Sequence, residues 1–207
     1  FPPVDPLSVP VLDVRDVSFR YSDTGPWLFR DVSFGIDLDT RASIVGPNGV
    51  GKSTLIKLLT GELEPSVGEV YRNRKLRIGK YSQHFARHDA RITDARAMLG
   101  RFGLEGHAHT IPCRDLSGGQ KARVVFALIA FEEPHILIAD EPTNHLDMES
   151  IEALAEGLRA FEGGVILVSH DARLIQAAEC RLWVVQDQKC VAFPGEFEEY
   201  RDALLAR

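Results

Sequence analysis

Cysteine and long apolar runs are both scarce in this sequence, and each scarcity argues against a class of protein. Only three cysteines occur among the 207 residues, and none stands in a Cys-x-x-Cys spacing. An odd, unpaired set argues against a disulfide framework and against a zinc site, and it favours a cytoplasmic location. The longest unbroken apolar stretch is Val124–Phe131, far short of the roughly 18 residues that a membrane-spanning helix needs. We therefore expect no membrane domain in this chain.

Basic side chains are fewer than acidic ones. The chain has 24 basic and 30 acidic side chains, which give a net charge of −6 with neutral histidines. This charge disfavours electrostatic binding of nucleic acid over the whole surface. One basic run stands out, and its residues are Arg72, Arg74, Lys75 and Arg77. The run suits either a contact with nucleic-acid phosphates or an ordinary solvated charged face.

The length predicts one domain, since domains commonly hold roughly 100–200 residues. Residues 1–10 contain four prolines, which hold the backbone extended, so we interpret them as a linker and residues 11–207 as a single domain. The first residue is Phe1 rather than Met, and we expect the sequence to be a piece of a longer polypeptide.

Short apolar strands alternate with helical patterns along most of the chain. The strands Arg41–Val45, Ile136–Ala139 and Val165–Val168 are each short and apolar, which is typical of a parallel sheet covered on both faces. An alternating pattern from Val11 onward predicts an antiparallel part at the start. Helical periodicity predicts an inserted helical subdomain over about residues 86–132. The fold class is therefore α/β with a mainly parallel sheet core.

A complete phosphate-binding loop lies between a predicted strand and a predicted helix. Its pattern is Gly-x-x-x-x-Gly-Lys-Ser, beginning at Gly46. Glycines allow backbone N–H groups to turn toward phosphates, and the helix N-terminus adds partial positive charge. Lys52 would reach the β- and γ-phosphates and the Ser53 hydroxyl would bind Mg²⁺; the alternative is a glycine-rich turn without a ligand. The predicted phosphate-binding residues are Gly46, Asn48, Gly49, Gly51, Lys52, Ser53 and Thr54.

Two carboxylates follow the apolar strand Ile136–Ala139. Open α/β sheets bind ligands at the carboxyl ends of their strands, so Asp140 is a candidate Mg²⁺ ligand. Glu141 could orient or deprotonate an attacking water molecule. Paired acids at a strand end are often only a solvated turn, but a phosphate-binding loop in the same chain favours catalysis.

The sequence Leu116-Ser-Gly-Gly-Gln120 precedes a strong helical pattern. Such a turn is an anion site because the first helical amides have no partner within the helix, although Ser117 could also be a simple N-cap. The five residues match the signature of the ATP-binding cassette (ABC) family, which the chain resembles over about residues 11–195.

That resemblance implies roles for residues whose type and position alone do not indicate a function. Tyr21 resembles the aromatic residue that stacks on adenine, and Gln83 resembles the glutamine that contacts Mg²⁺ and water. His170 resembles the histidine that contacts the γ-phosphate. Further nucleotide contacts are implied for Ser117, Gly118, Gly119, Gln120 and Asp147.

The stretch Pro142–Asp147 is similar to that of the ABC-F branch, whose members are soluble, carry two cassettes and act on ribosomes. Other stretches look like the second, C-terminal cassette of eukaryotic, translation-associated members. In this family two cassettes meet head to tail, so the resemblance implies ATP hydrolysis that needs a second cassette. Two alternatives remain open: the nucleotide-binding subunit of a membrane transporter, and a regulatory module that binds nucleotide without turnover.

Overall fold

A computed structural model describes residues 1–81, 92–143 and 146–205 of the chain. Within these ranges the chain forms nine strands and six α-helices. The strands are β1 Leu12–Phe19, β2 Phe29–Ile36, β3 Arg41–Val45, β4 Val67–Arg72, β5 Ile78–Tyr81, β6 Ile136–Asp140, β7 Gly164–Val168, β8 Arg181–Gln186 and β9 Lys189–Ala192. The helices are α1 Lys52–Thr60, α2 Ile92–Arg101, α3 Gly118–Phe131, α4 Met148–Arg159, α5 Ala172–Ala177 and α6 Phe197–Leu205.

The larger sheet has six strands in the order β5-β6-β7-β3-β8-β9. All neighbours in it are parallel except β8 and β9. Every residue of β7 is buried, as expected for an apolar strand with helices on both sides of its sheet. The smaller sheet is antiparallel and has the order β2-β1-β4. The predicted α/β class with a mainly parallel core is confirmed.

The carboxyl ends of β3, β6 and β7 lie at one edge of the larger sheet, because the three strands run parallel and adjacent. The phosphate-binding loop follows β3, the two acidic residues end β6 or follow it, and His170 follows β7. This edge therefore brings together segments that are far apart in the sequence. Within the described part of the chain, no helix has both the length and the apolar character that spanning a bilayer requires.

Three local features differ from the sequence-based expectation. The strand β4 and the short helix α5 were not predicted. Within the predicted helical subdomain, two 3-10 turns, Gly106–Thr110 and Cys113–Asp115, lie between α2 and α3, and the sequence pattern did not indicate them. Gly103, which has a φ of 74°, and Pro112 lie in this stretch, and both interrupt α-helical geometry.

The proline-rich segment at residues 1–10 contains no helix or strand, yet it contacts the domain. The ring of Phe1 meets three other rings edge to face, with centroid distances of 5.0 Å to Phe102, 5.6 Å to Phe126 and 5.0 Å to Phe161. Leu7 packs against the apolar cluster beneath the smaller sheet. The division into a linker, one domain and a helical subdomain at about 86–132 stays a prediction.

Candidate nucleotide-binding site

The phosphate-binding loop requires glycine at two positions, Gly46 and Gly51, because of both backbone conformation and space. Their φ values are 155° and 111°, which favour glycine, and a Cβ at Gly51 would come within 2.9 Å of the Phe29 ring. A Cβ at Gly46 would overlap the carbonyl oxygen of Val185. Because α1 begins at Lys52, directly after the loop, the first helical amides and the positive end of the helix dipole lie at the loop.

Lys52 is the charged residue of this loop, and it is 8% exposed. Its ammonium group donates hydrogen bonds to the carbonyl oxygens of Gly46 (2.8 Å) and Pro47 (3.0 Å). Burial lowers the pKa of Lys52, whereas the charges of Glu141 and Asp140 oppose that shift. The loop therefore holds a cation close to two carboxylates, as a site for a triphosphate requires.

Tyr21 lies beside the loop with its ring 68% exposed. Its hydroxyl group forms a 2.7 Å hydrogen bond with the Thr54 hydroxyl, and its ring meets Phe19 edge to face at 5.0 Å. Two contacts thus orient an aromatic ring whose face is available. This geometry suits stacking on a base, but the role of Tyr21 stays a prediction.

Glu141 and His170 come from neighbouring strand ends and form a pair. The Glu141 Oε1 atom lies 3.3 Å from His170 Nε2, and the Glu141 N–H donates to the Val168 carbonyl oxygen at 2.8 Å. Burial raises the pKa of the Glu141 carboxyl group, and the charges of His170 and Lys52 partly oppose the rise. A carboxylate with a raised pKa accepts a proton more readily near neutral pH.

The backbone of Glu141 is strained. Its φ is 47°, in the left-handed region that costs a non-glycine residue about 1–3 kcal/mol. On the other side of the pair, Ser169 is fully buried and Asp171 caps α5 through the N–H groups of Arg173 and Leu174. His170 is therefore held between a buried strand end and a capped helix, and both partners of the pair have defined backbone positions.

Magnesium fits the oxygen donors at this edge. Asp140 and Ser53 are both exposed, and carboxylate and hydroxyl oxygens are ligands that Mg²⁺ accepts, commonly together with phosphate oxygens. Among the described residues, no group of three or more His, Cys, Asp or Glu side chains forms a ready-made metal site, so the nucleotide would have to complete the coordination. The third predicted ligand, Gln83, lies outside the described residues.

Ser117 and Gln120 form a capping box at the start of α3. The Ser117 Oγ accepts from the Gln120 N–H at 3.2 Å, and the Gln120 Oε1 accepts from the Ser117 N–H at 2.9 Å. The N-cap alternative for Ser117 is thus confirmed. An anion site at the same turn remains compatible with it, because other amides of the first turn have no helical partner.

The groove beside this turn has a volume of about 610 Å³ and runs along α4. Among the described residues that line it are Ser117, Gly119 and Gln120 but none from the phosphate-binding loop. The phosphate-binding loop and the signature turn of one chain therefore do not share this groove.

Asp147 caps α4. Its Oδ1 atom accepts from the Ser150 N–H at 2.9 Å and from the Ser150 hydroxyl group. These hydrogen bonds from Ser150 lower the pKa of Asp147. The preceding residues Asn144 and His145 lie outside the described residues. Sequence reasoning missed Ser150, because a serine within a helical pattern gives no sign of what it contacts.

Comparison with known proteins identifies the family of this chain. A family model described as ABC transporter matches residues 29–144. ABC transporter F family member 4 of Arabidopsis thaliana is 48% identical over 99% of this chain and 32% of that protein. ATP-binding cassette sub-family F member 2 of Mus musculus is 44% identical over 100% of this chain and 36% of that protein. The chain thus spans about a third of the length of these relatives.

Among solved structures, the chain is similar to the dimeric post-hydrolysis state of an ATP-binding cassette bound to ADP and Pi. The TM-score is 0.68 at 22% identity, with 87% of this chain and 96% of that chain covered. At this identity the likeness shows the fold alone. Taken together, the family match, the relatives and the signature turn show that this chain belongs to the ATP-binding cassette family, in which its curated relatives are ABC-F proteins.

Proposed function

We propose that the chain is an ATP-hydrolysing cassette of an ABC-F protein. The observation that carries this proposal is the Glu141–His170 pair, 3.3 Å apart, at the sheet edge where Lys52 marks the position of the phosphates. The raised pKa of Glu141 and its pairing with histidine suit a group that accepts a proton during a reaction, which nucleotide binding alone does not require. These features favour turnover over the regulatory alternative.

The proposed reaction is the transfer of the γ-phosphoryl group of ATP to water. The water oxygen forms a bond to the γ-phosphorus while the bond to the β,γ-bridging oxygen breaks, which gives ADP and phosphate. Glu141 accepts the proton of the attacking water. His170, whose Nε2 lies 3.3 Å from the Glu141 carboxylate, contacts the γ-phosphate and stabilises the charge that develops there. Lys52 stabilises charge on the phosphate oxygens. Bound Mg²⁺, held by Ser53 and Asp140, would neutralise further phosphate charge.

We propose further that turnover needs a second cassette, arranged head to tail. The lining of the groove at the signature turn supports this, since Ser117 and Gly119 line it and no residue of the phosphate-binding loop is among its described lining residues. The similar cassette structure that contains ADP and Pi is dimeric. Phosphate release by the isolated chain should therefore be slow and should rise more steeply than linearly with protein concentration. A specific rate that does not depend on concentration would contradict the need for a partner.

We also propose a cytoplasmic role on ribosomes in translation or its regulation, with this chain as the second cassette of its protein. Similarity to sub-family F proteins supports this over the membrane-transporter alternative. The basic run adds limited support, because two of its residues serve the fold: Arg72 donates to the Leu59 carbonyl oxygen at 2.9 Å, and Arg77 donates to the Glu133 carbonyl oxygen at 2.7 Å.

Sedimentation tests this role. The polypeptide that carries this chain is mixed with ribosomes and either ATP or ADP, and the Glu141→Gln variant is included to slow hydrolysis. We expect co-sedimentation with ATP, more of it with the variant, and little with ADP. Equal distribution with both nucleotides would contradict an ATP-driven switch on ribosomes, and co-purification with a membrane protein would favour the transporter alternative.

A further inference from the structure

The two glycines of the signature turn have different surroundings. A Cβ added at Gly119 would meet nothing within 4 Å, whereas one added at Gly118 would overlap the Oγ of Ser150 and lie 3.2 Å from its Cβ. Neither glycine has a positive φ. Glycine at position 118 is therefore required by space rather than by backbone conformation, and Ser150 is the side chain that occupies that space.

Ser150 also holds the residue that caps α4. It is fully buried, and both its N–H and its hydroxyl group donate to Asp147 Oδ1. A Cβ at Gly118 would also lie 3.4 Å from that same oxygen. One buried side chain thus touches the signature turn on one side and the Asp147 carboxylate on the other.

The hydrogen bonds of the capping box do not supply this link. Ser117 and Gln120 bond to each other's backbone, which shapes the turn but does not attach it to α4. The close approach of Gly118 to Ser150 does attach it. A displacement of the N-terminus of α4 toward the signature turn would therefore displace the turn as well, because a tightly packed contact resists compression.

We propose that Ser150 is a positioning residue that couples the signature turn to Asp147 within one cassette. This rests on the proposed function, in which both elements face the nucleotide that the partner cassette holds. Ser150 itself touches no nucleotide. Through this contact, a shift in the position of either element is transmitted to the other. The signature turn and Asp147 therefore keep a fixed relative position when they contact the partner cassette.

The test uses four variants of the full 207-residue chain: Ser150→Ala, Gly118→Ala, the double variant, and Gly119→Ala as the steric control. Gly118→Ala should lower the melting temperature by about 5 °C, the usual size for an overpacked contact in a domain of this length. The double variant should recover most of that loss, because the overlapping Oγ is gone. Gly119→Ala should have a melting temperature close to that of the wild type. Ser150→Ala should not raise the melting temperature above that of the wild type.

Two further readouts separate positioning from packing. Amide hydrogen exchange at residues 117–121 should be about threefold faster in Ser150→Ala, with residues 46–54 unchanged, as expected for a local loss of stability. Turnover at saturating ATP should fall about tenfold in Gly118→Ala, in line with the cost of misplacing a catalytic element. The double variant should recover that turnover.

The proposal is overturned if exchange at residues 117–121 is unchanged in Ser150→Ala. It is also overturned if the double variant recovers its melting temperature but not its turnover, because Ser150 would then be packing alone. Absence of ATP turnover in the wild type would instead remove the proposed function. The exchange and melting results would still decide in that case whether Ser150 positions the turn.

Discussion

The hydroxyl group of Tyr21 lies 2.7 Å from that of Thr54, so the exposed aromatic ring is tied to the first turn of the helix that follows the phosphate-binding loop. Removing the ring by Tyr21→Ala should weaken ATP binding about 10–100-fold, the usual worth of stacking on one base. Tyr21→Phe keeps the ring and loses one hydrogen bond, so we expect a loss of about fivefold. Equilibrium titration with ATP measures both.

Tyr71→Ala is the matched control for these variants. Tyr71 is also exposed, at 40%, but it lies on β4 of the smaller sheet. ATP affinity should be unchanged in that variant. If Tyr21→Ala binds ATP as tightly as the wild type does, Tyr21 has no part in binding the base.

Glu141→Gln should lower the rate of ATP hydrolysis roughly 10²–10⁴-fold, the range expected when a positioned general base is removed. ATP binding should persist, because the phosphate-binding loop is unchanged, and an ATP-bound dimer should accumulate. Phosphate release and size-exclusion chromatography measure the two effects. Glu179→Gln is the control, since Glu179 is exposed and also has a left-handed backbone, with a φ of 56°. Unchanged hydrolysis in Glu141→Gln would remove Glu141 from the role of base.

The raised pKa of Glu141 predicts a pH-dependent difference in stability. Burial is the main cause of the rise, so the folded state holds the proton more tightly than the unfolded state does. The stability that this proton contributes is complete below the unfolded-state pKa and is lost as the pH rises through the folded-state pKa. Glu141→Gln cannot ionise, and it should therefore melt at a higher temperature than the wild type at neutral pH.

That difference should shrink as the pH falls below the folded-state pKa of Glu141. Thermal melting from about pH 4 to pH 8, which spans the ordinary carboxyl range and its upward extension, measures it. A gap that stays constant over the whole range would contradict a raised pKa.

Gly46→Ala should disrupt the phosphate-binding loop, because its φ of 155° strains alanine and a Cβ there would also overlap the backbone of β8 at Val185. We expect a fall in melting temperature of about 5 °C or more, from overpacking against backbone that cannot rotate away. Gly49→Ala is the comparison: its φ of 78° strains alanine, but a Cβ there would meet nothing within 4 Å, so the loss should be smaller. Equal losses would show that backbone strain alone governs this loop.

The sequence predicted the larger sheet well because its central strands are short, apolar and bounded by glycine or charged residues. The predicted strand Arg41–Val45 has the same bounds as β3, and the predicted strand Ile136–Ala139 ends one residue before β6 does. Most residues of β4 are exposed, so its side chains show no buried pattern, and its pairing with β1 depends on backbone hydrogen bonds that sequence patterns do not reveal.

The sequence indicated some residues of the site and gave no sign of several contacts between them. The spacing of the phosphate-binding loop and the acids after β6 indicated the residues that meet at the sheet edge, because parallel strands bring their ends together. The sequence could not indicate the Tyr21–Thr54 bond or the contact of Ser150 with Gly118. Those contacts depend on how separate elements pack. The presence of a serine or a tyrosine in the sequence does not indicate which distant residue it contacts.

Isothermal titration calorimetry with ATP and Mg²⁺ tests the central claim most directly, with the wild type compared with Lys52→Ala and Lys57→Ala. Lys52 lies in the phosphate-binding loop, whereas Lys57 is an exposed lysine of the same helix. We predict saturable binding by the wild type and by Lys57→Ala, and binding at least about tenfold weaker by Lys52→Ala, since a charge-assisted bond to phosphate is lost. Folded wild-type protein that binds no ATP would contradict the account, and so would an ATP affinity of Lys52→Ala equal to that of the wild type.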